Sequence, residues 1–185
     1  MKQKYLWPLI VTLLSLLSTL SSAEAPPAAL RVFQKSSLQD IISSLDGRPF
    51  MLVLWSIDCP PCQQELALLQ TRRHDFAPKE LILISTDSPQ DAAAIEATLA
   101  EYQLEALDNW IFGDDLPERL RFAIDPGWYG ELPRSYFYDT DRQRHSYSGL
   151  LSEAIVDKWL SYTLSVRLAS NQQNSPLTSR SSETR

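Results

Sequence analysis

The chain has 185 residues, 44% of them apolar, with 17 basic and 23 acidic side chains for a formal net charge of −6. That length and apolar content suit one domain with a substantial core plus terminal extensions. An acidic chain without a basic cluster argues against nucleic acid as a partner and against anionic lipid surfaces.

Lys2 and Lys4 precede an apolar stretch over residues 5–20, and Ser21-Ser22-Ala23 offers small residues behind it. This pattern reads as a Sec-type signal peptide, residues 1–23, cleaved after Ala23. An uncleaved membrane anchor is the alternative, because the apolar stretch falls only slightly short of the ~20 residues that span a bilayer. Loss of residues 1–23 takes the net charge from −6 to −8, since Lys2 and Lys4 are the only charged side chains there. Either way the expected location is the periplasm or cell envelope, where an isolated cysteine pair tends to be oxidised unless electrons are supplied.

Residues 24–29, with Pro26-Pro27, form a spacer, and residues 30–168 read as one domain. Residues 30–33 suit a short strand. Leu38, Ile41, Ile42 and Leu45 mark a helix over 36–45, with Ser36 or Ser37 as its N-cap and Gly47 beyond its end. The nearly continuous apolar run 50–57 suits a central strand covered on both faces. About two turns of helix follow, marked by Leu66, Leu69 and Arg73. Residues 80–86 form a second buried strand, 89–101 an alanine-rich helix and 110–112 a short strand. A helix over 115–123 is expected to turn Leu116, Leu120 and Ala123 inward. An aromatic strand, 134–138, returns through a turn at 139–141 as the hairpin strand 144–148. The helix 152–168 carries the stripe Ile155, Val156, Trp159, Leu160 and Leu164. Residues 169–185 have the composition of a disordered tail. The order predicts an α/β fold with a central mixed sheet flanked by helices.

The chemistry concentrates at Cys59-Pro60-Pro61-Cys62, which holds the only two cysteines of the chain. They must bond to each other, to a metal or to a partner. A strand that delivers two cysteines to the first turn of a helix makes a compact redox device. Unpaired N–H groups and the helix dipole favour a thiolate there, and two intervening residues let the sulfurs meet across one turn. Neither proline needs an N–H at a helix start. A purely structural disulfide would gain little, because so short a loop removes little unfolded-state entropy. A structural zinc site would need more Cys or His ligands.

The combination resembles the thioredoxin fold, and within it the TlpA/ResA-like thiol-disulfide reductases of the bacterial cell envelope. The resemblance covers about residues 32–164 and rests on four features: Trp55 four residues before Cys59, the Cys59-Pro60-Pro61-Cys62 motif, Glu65, and Leu132-Pro133 ahead of an aromatic strand. It implies that Cys59 is the attacking thiolate and Cys62 the resolving thiol, joined as a disulfide when oxidised. It further implies that Pro133 is a cis-proline whose loop lies against that disulfide. Trp55, Pro60, Pro61, Leu132 and Pro133 then line the substrate side, and Glu65, one turn beyond Cys62, acts as a proton acceptor. Asp58 stands where the family usually has Trp, Ala67 where it usually has Pro, and Glu131-Leu132 replaces smaller residues before the proline. Asp58 is expected to tune Cys59, because a neighbouring carboxylate disfavours a thiolate.

The leading expectation is a reductase of disulfides in envelope proteins, with apocytochrome c or a copper-site protein as the substrate class the resemblance suggests. The chain carries no flavin or nicotinamide motif, so no cofactor is expected and a membrane thiol donor must restore the dithiol. Two alternatives stand beside it. One is a copper chaperone in which Cys59, Cys62 and His145 hold the metal, since thiolate and imidazole suit copper. The other is an oxidase that feeds disulfides into its substrates.

Overall fold

A computed structural model describes residues 29–173. The expected signal segment, nearly all of the spacer and residues 174–185 lie outside the described residues. In chain order the elements are β1 (Arg31–Phe33), α1 (Ser37–Leu45), β2 (Phe50–Trp55), α2 (Pro60–Arg72), β3 (Leu81–Ser85), a 3₁₀ turn (Pro89–Asp91) leading into α3 (Ala92–Glu101), β4 (Asp108–Phe112), α4 (Pro117–Ile124), the hairpin β5 (Arg134–Tyr138) and β6 (Arg144–Ser148), and α5 (Glu153–Gln173).

The strands form one sheet in the order β1-β4-β3-β2-β5-β6. β1, β4, β3 and β2 run parallel, whereas β5 is antiparallel to β2 and β6 to β5. The expected mixed sheet is therefore present, with the apolar run Phe-Met-Leu-Val-Leu-Trp of β2 near its middle. All six residues of β2 are buried, because helices cover both faces. Met51, Val53 and Trp55 point into a core shared with α2, α3 and α5. Phe50, Leu52 and Leu54 point into a second core shared with α1 and α4. Burying each of these side chains contributes about 1.5–3 kcal/mol, so β2 is the strand the fold can least spare.

The register decides where chemistry can occur. Trp55, the last residue of β2, pairs with Ser85, the last of β3, and Leu54 pairs with Arg134, the first of β5. Three connections thus emerge at one end of the sheet: the turn after β2, the turn after β3 and the loop before β5.

Several details differ from the sequence reading. α2 spans 13 residues rather than about two turns and runs without a break through Ala67. The chain turns out of α1 at Asp46, in the left-handed region with φ 49°, before Gly47 continues the turn at φ 76°. Leu116 caps α4 in an extended conformation and faces solvent, while Leu120 and Ile124 supply the buried contacts. Leu164 is also exposed, so the stripe of α5 that reaches the core ends near Leu160. α5 itself continues through Gln173, so residues 169–173 are helical rather than part of a tail. No helix among the described residues is long and apolar enough to cross a membrane.

Candidate active site

Cys59 is the N-cap of α2, with Pro60 and Pro61 in the first two positions that need no donor. Cys59 and Cys62 are joined as a disulfide with their Cα atoms 5.2 Å apart. The Cys62 amide donates to the Cys59 carbonyl at 2.9 Å and lies 3.2 Å from Cys59 Sγ, so the first turn of helix points a backbone donor at that sulfur. The two sulfurs are unequal in access. Cys62 is fully buried beneath the helix, whereas Cys59 is only partly buried, next to exposed Pro60 and exposed Asp58.

The Leu132–Pro133 peptide bond is cis. Pro133 is buried, Leu132 is half-buried, and Leu132 touches both cores. The loop is well anchored: Trp128 Nε1 donates to the Glu131 carbonyl at 2.9 Å, and the Gly149 amide donates to the Pro133 carbonyl at 2.9 Å. Directly behind the proline, Arg134 donates to Asp125 at 3.2 Å and to Glu131 at 3.2 Å. Asp125 also accepts from Tyr136 at 3.0 Å, the Gly127 amide at 3.0 Å and Arg144 at 2.9 Å. Burial pushes the Asp125 carboxyl up, but these donors outweigh it and hold the group below its ordinary range. This cluster joins residues up to 19 positions apart in the sequence and was not visible before the fold.

The structure buries two of the expected site residues, Trp55 and Glu65. Trp55 is 1% exposed and packs with Cys62 and Leu66 in the core, so it supports the site from beneath and offers no surface to a substrate. Glu65 is likewise 1% exposed, with both carboxylate oxygens engaged. Oε1 accepts from Ser135 and Oε2 from the Leu151 amide, each at 3.0 Å. Glu65 thereby ties the cysteine helix to the strand behind Pro133 and to the loop before α5.

Burial pushes the Glu65 carboxyl above its ordinary range, against the two hydrogen bonds that pull it down. The folded protein therefore holds this proton to higher pH than the unfolded chain does. The sign is destabilising with alkalinity: stability falls as pH rises from the unfolded value near 4.5 through the raised folded value. Glu65→Gln removes this dependence. Urea unfolding from pH 4.5 to 8 should show a smaller loss of stability with rising pH in the variant; parallel curves would contradict the assignment.

The copper alternative requires His145 beside the cysteines. His145 is exposed on β6 opposite Phe137, three residues before Ser148, which marks the cysteine end of the strand. At ~3.4 Å per residue that places it roughly 10 Å short of the site. It bonds instead to Asp139, at 3.4 Å, and lines a separate apolar groove with Tyr147 and Trp159. No group of three or more His, Cys, Asp or Glu among the described residues is arranged to hold a metal ion. The structure therefore does not assemble the Cys59, Cys62 and His145 ligand set.

The fold has counterparts among solved structures. A thiol:disulfide interchange protein of the thioredoxin family from Chlorobium tepidum TLS matches with 19% identity and a TM-score of 0.51 over 77% of this chain and 99% of that one. A thioredoxin-related protein from Neisseria meningitidis serogroup B matches with 16% identity and a TM-score of 0.51 over 67% and 90%. A comparison with curated protein sequences returned no match. The model of the AhpC/TSA family matches residues 22–143, a span that contains β1 to β5, the disulfide and the cis-proline. A helix-capping cysteine pair and a cis-proline loop at the same end of a thioredoxin-like sheet suit thiol-disulfide exchange. The chain belongs to the AhpC/TSA family and has the thioredoxin-like fold its cysteine motif resembles.

Proposed function

We propose that this thiol-disulfide oxidoreductase works as a reductase of disulfides in proteins of the cell envelope. Cys59, as thiolate, attacks one sulfur of a substrate disulfide. A mixed disulfide forms and one substrate thiolate leaves. Cys62 then attacks Cys59 Sγ, the second substrate thiolate leaves, and the Cys59–Cys62 bond closes, so two electrons pass to the substrate. A membrane thiol donor returns two electrons to the pair, and apocytochrome c or a copper-site protein fits the substrate class. The location outside the cytoplasm rests on the signal-like residues 1–23.

The observation that carries the direction is the charge around the pair. Exposed Asp58 adjoins Cys59, and the Glu65 carboxyl lies one helical turn beyond Cys62. Asp58 opposes the thiolate that the helix N-terminus favours, while Glu65, buried and with its carboxyl pushed up, adds little charge of its own; a poorly stabilised thiolate favours the disulfide form of the enzyme. The protein is then a reductant. Its reduction potential, measured in glutathione or dithiothreitol buffers, is expected nearer the about −270 mV of thioredoxin than the about −120 mV of a strong oxidant. Asp58→Asn should make it less negative by no more than ~15 mV, because a charge in water at ~6 Å is worth only about half a pKa unit. A wild-type potential near the oxidant value would assign the opposite direction.

A further inference from the structure

Asp87 stands in the turn after β3, and its carboxylate reaches across to the segment that carries the reactive cysteine. Oδ1 accepts from Ser56 Oγ at 2.6 Å. Oδ2 accepts from the Ile57 amide at 3.0 Å and from Ser85 Oγ at 2.6 Å. The Ser85 hydroxyl oxygen in turn accepts from the Asp87 amide at 3.1 Å, which fixes the carboxylate in place. The clamped segment leads directly to the site: the Cys59 amide donates to the Ser56 carbonyl at 3.3 Å, and the Asp58 amide lies 3.3 Å from Ser56 Oγ. From the helix side, Gln63 Nε2 donates to the Ile57 carbonyl at 3.2 Å. The backbone between β2 and α2 is therefore held from both flanks, and Asp87 supplies the charged half of that hold. All three donors to its carboxylate are neutral groups.

We propose that Asp87 is a positioning residue for thiol-disulfide exchange: its carboxylate fixes the Ser56-Ile57-Asp58 segment and so sets how closely Cys59 Sγ is held to Cys62. Two physical effects act in the same direction. A fixed segment raises the effective concentration of one sulfur at the other and so favours the closed disulfide. A carboxylate bonded to the segment that leads to Cys59 also disfavours the thiolate of the open form. Both make the pair more reducing. An amide in this place has one acceptor oxygen and cannot take all three donors. The inference rests on exchange at Cys59–Cys62 and not on its direction in the cell.

The test is the equilibrium in which protein disulfide and two glutathione thiols give protein dithiol and one glutathione disulfide. For Asp87→Asn that equilibrium is expected to move about tenfold towards the dithiol, which is about 30 mV less negative. Thr86→Val is the control. It removes a hydroxyl that bonds the Trp55 carbonyl in the same turn but leaves the three Asp87 bonds intact, and it should shift the equilibrium less than twofold. An unshifted Asp87→Asn, or a Thr86→Val shifted as far, overturns the proposal. If Asp87→Asn does not fold, Ser56→Ala removes the Oδ1 bond, together with the weaker Asp58 amide contact to the same hydroxyl, and its equilibrium should move at least threefold the same way. No movement there overturns the proposal equally. Wild-type protein that fails to equilibrate with glutathione would instead remove the exchange reading itself.

Discussion

Cys62→Ser should accumulate covalent complexes with envelope proteins, and Cys59→Ser should accumulate none. The expectation follows from access. Cys59 is partly exposed at the helix cap, while Cys62 is fully buried below it. An incoming disulfide reaches only the outer sulfur, so the outer thiolate forms the mixed disulfide and the inner one resolves it. With Cys62 replaced, the second step is lost and the mixed disulfide persists until an outside thiol breaks it. Both variants should lose catalytic turnover to background. Non-reducing gels of cells trapped with acid, followed by identification of the bound chains, read the outcome. Equal trapping by the two variants would show that the burial difference does not assign the roles.

The largest loss of stability is expected from Asp125→Ala. Asp125 and Arg134 have side chains only 11% exposed, and Arg144 shares the same carboxylate. Removing the acid leaves two guanidinium groups and the Tyr136 hydroxyl without their shared acceptor. Breaking a buried pair from one side costs about 3–5 kcal/mol, which for a chain of this size lowers the melting temperature by roughly 10 °C. The wild-type contribution follows pH with the opposite sign to that of Glu65. The folded-state pKa of Asp125 is lowered, so its stabilisation is complete above the ordinary value near 3.8 and is lost as pH falls towards the folded value. A loss below about 1 kcal/mol would show that water replaces the carboxylate without strain on the network. Because Arg134 directly follows Pro133, the variant should also slow exchange with a protein disulfide. Its equilibrium with glutathione should stay unchanged, which separates it from Asp87→Asn.

The parts of the site that sequence reasoning found are the parts made by neighbours in the chain. An apolar run, two cysteines and two prolines lie within 13 residues, so strand, cap and disulfide could be read together. Leu132-Pro133 was found through its aromatic strand and the family resemblance. The supporting contacts were not legible, because they join distant residues. Glu65 meets Ser135 and Leu151 across 70 and 86 positions, and Asp87 meets Ser56 across 31. A polar Ser-Thr-Asp triplet closing a wholly buried strand was a signal for Asp87, since a connection at a strand end is where polar groups serve the site. The burial of Glu65 left no mark in its helical neighbours, because Ser135 and Leu151 close over it from distant parts of the chain. The helix stripes gave the right faces but not their ends: Leu116 and Leu164 continue the apolar periodicity beyond the area the sheet covers.

The burial difference between the two sulfurs also works as a one-way gate in time. Cys62 lies against Val53- and Trp55-lined core, and β2 is paired on both edges and covered on both faces. Amides in such a strand exchange with solvent only when the whole domain opens. The inner sulfur is therefore hidden from stray thiols for as long as the protein stays folded, and an intruder can join only the outer one. Every such accident leaves a mixed disulfide within reach of Cys62, which expels it. The enzyme thus clears its own dead ends within the lifetime of a single fold, with no second protein needed to rescue it.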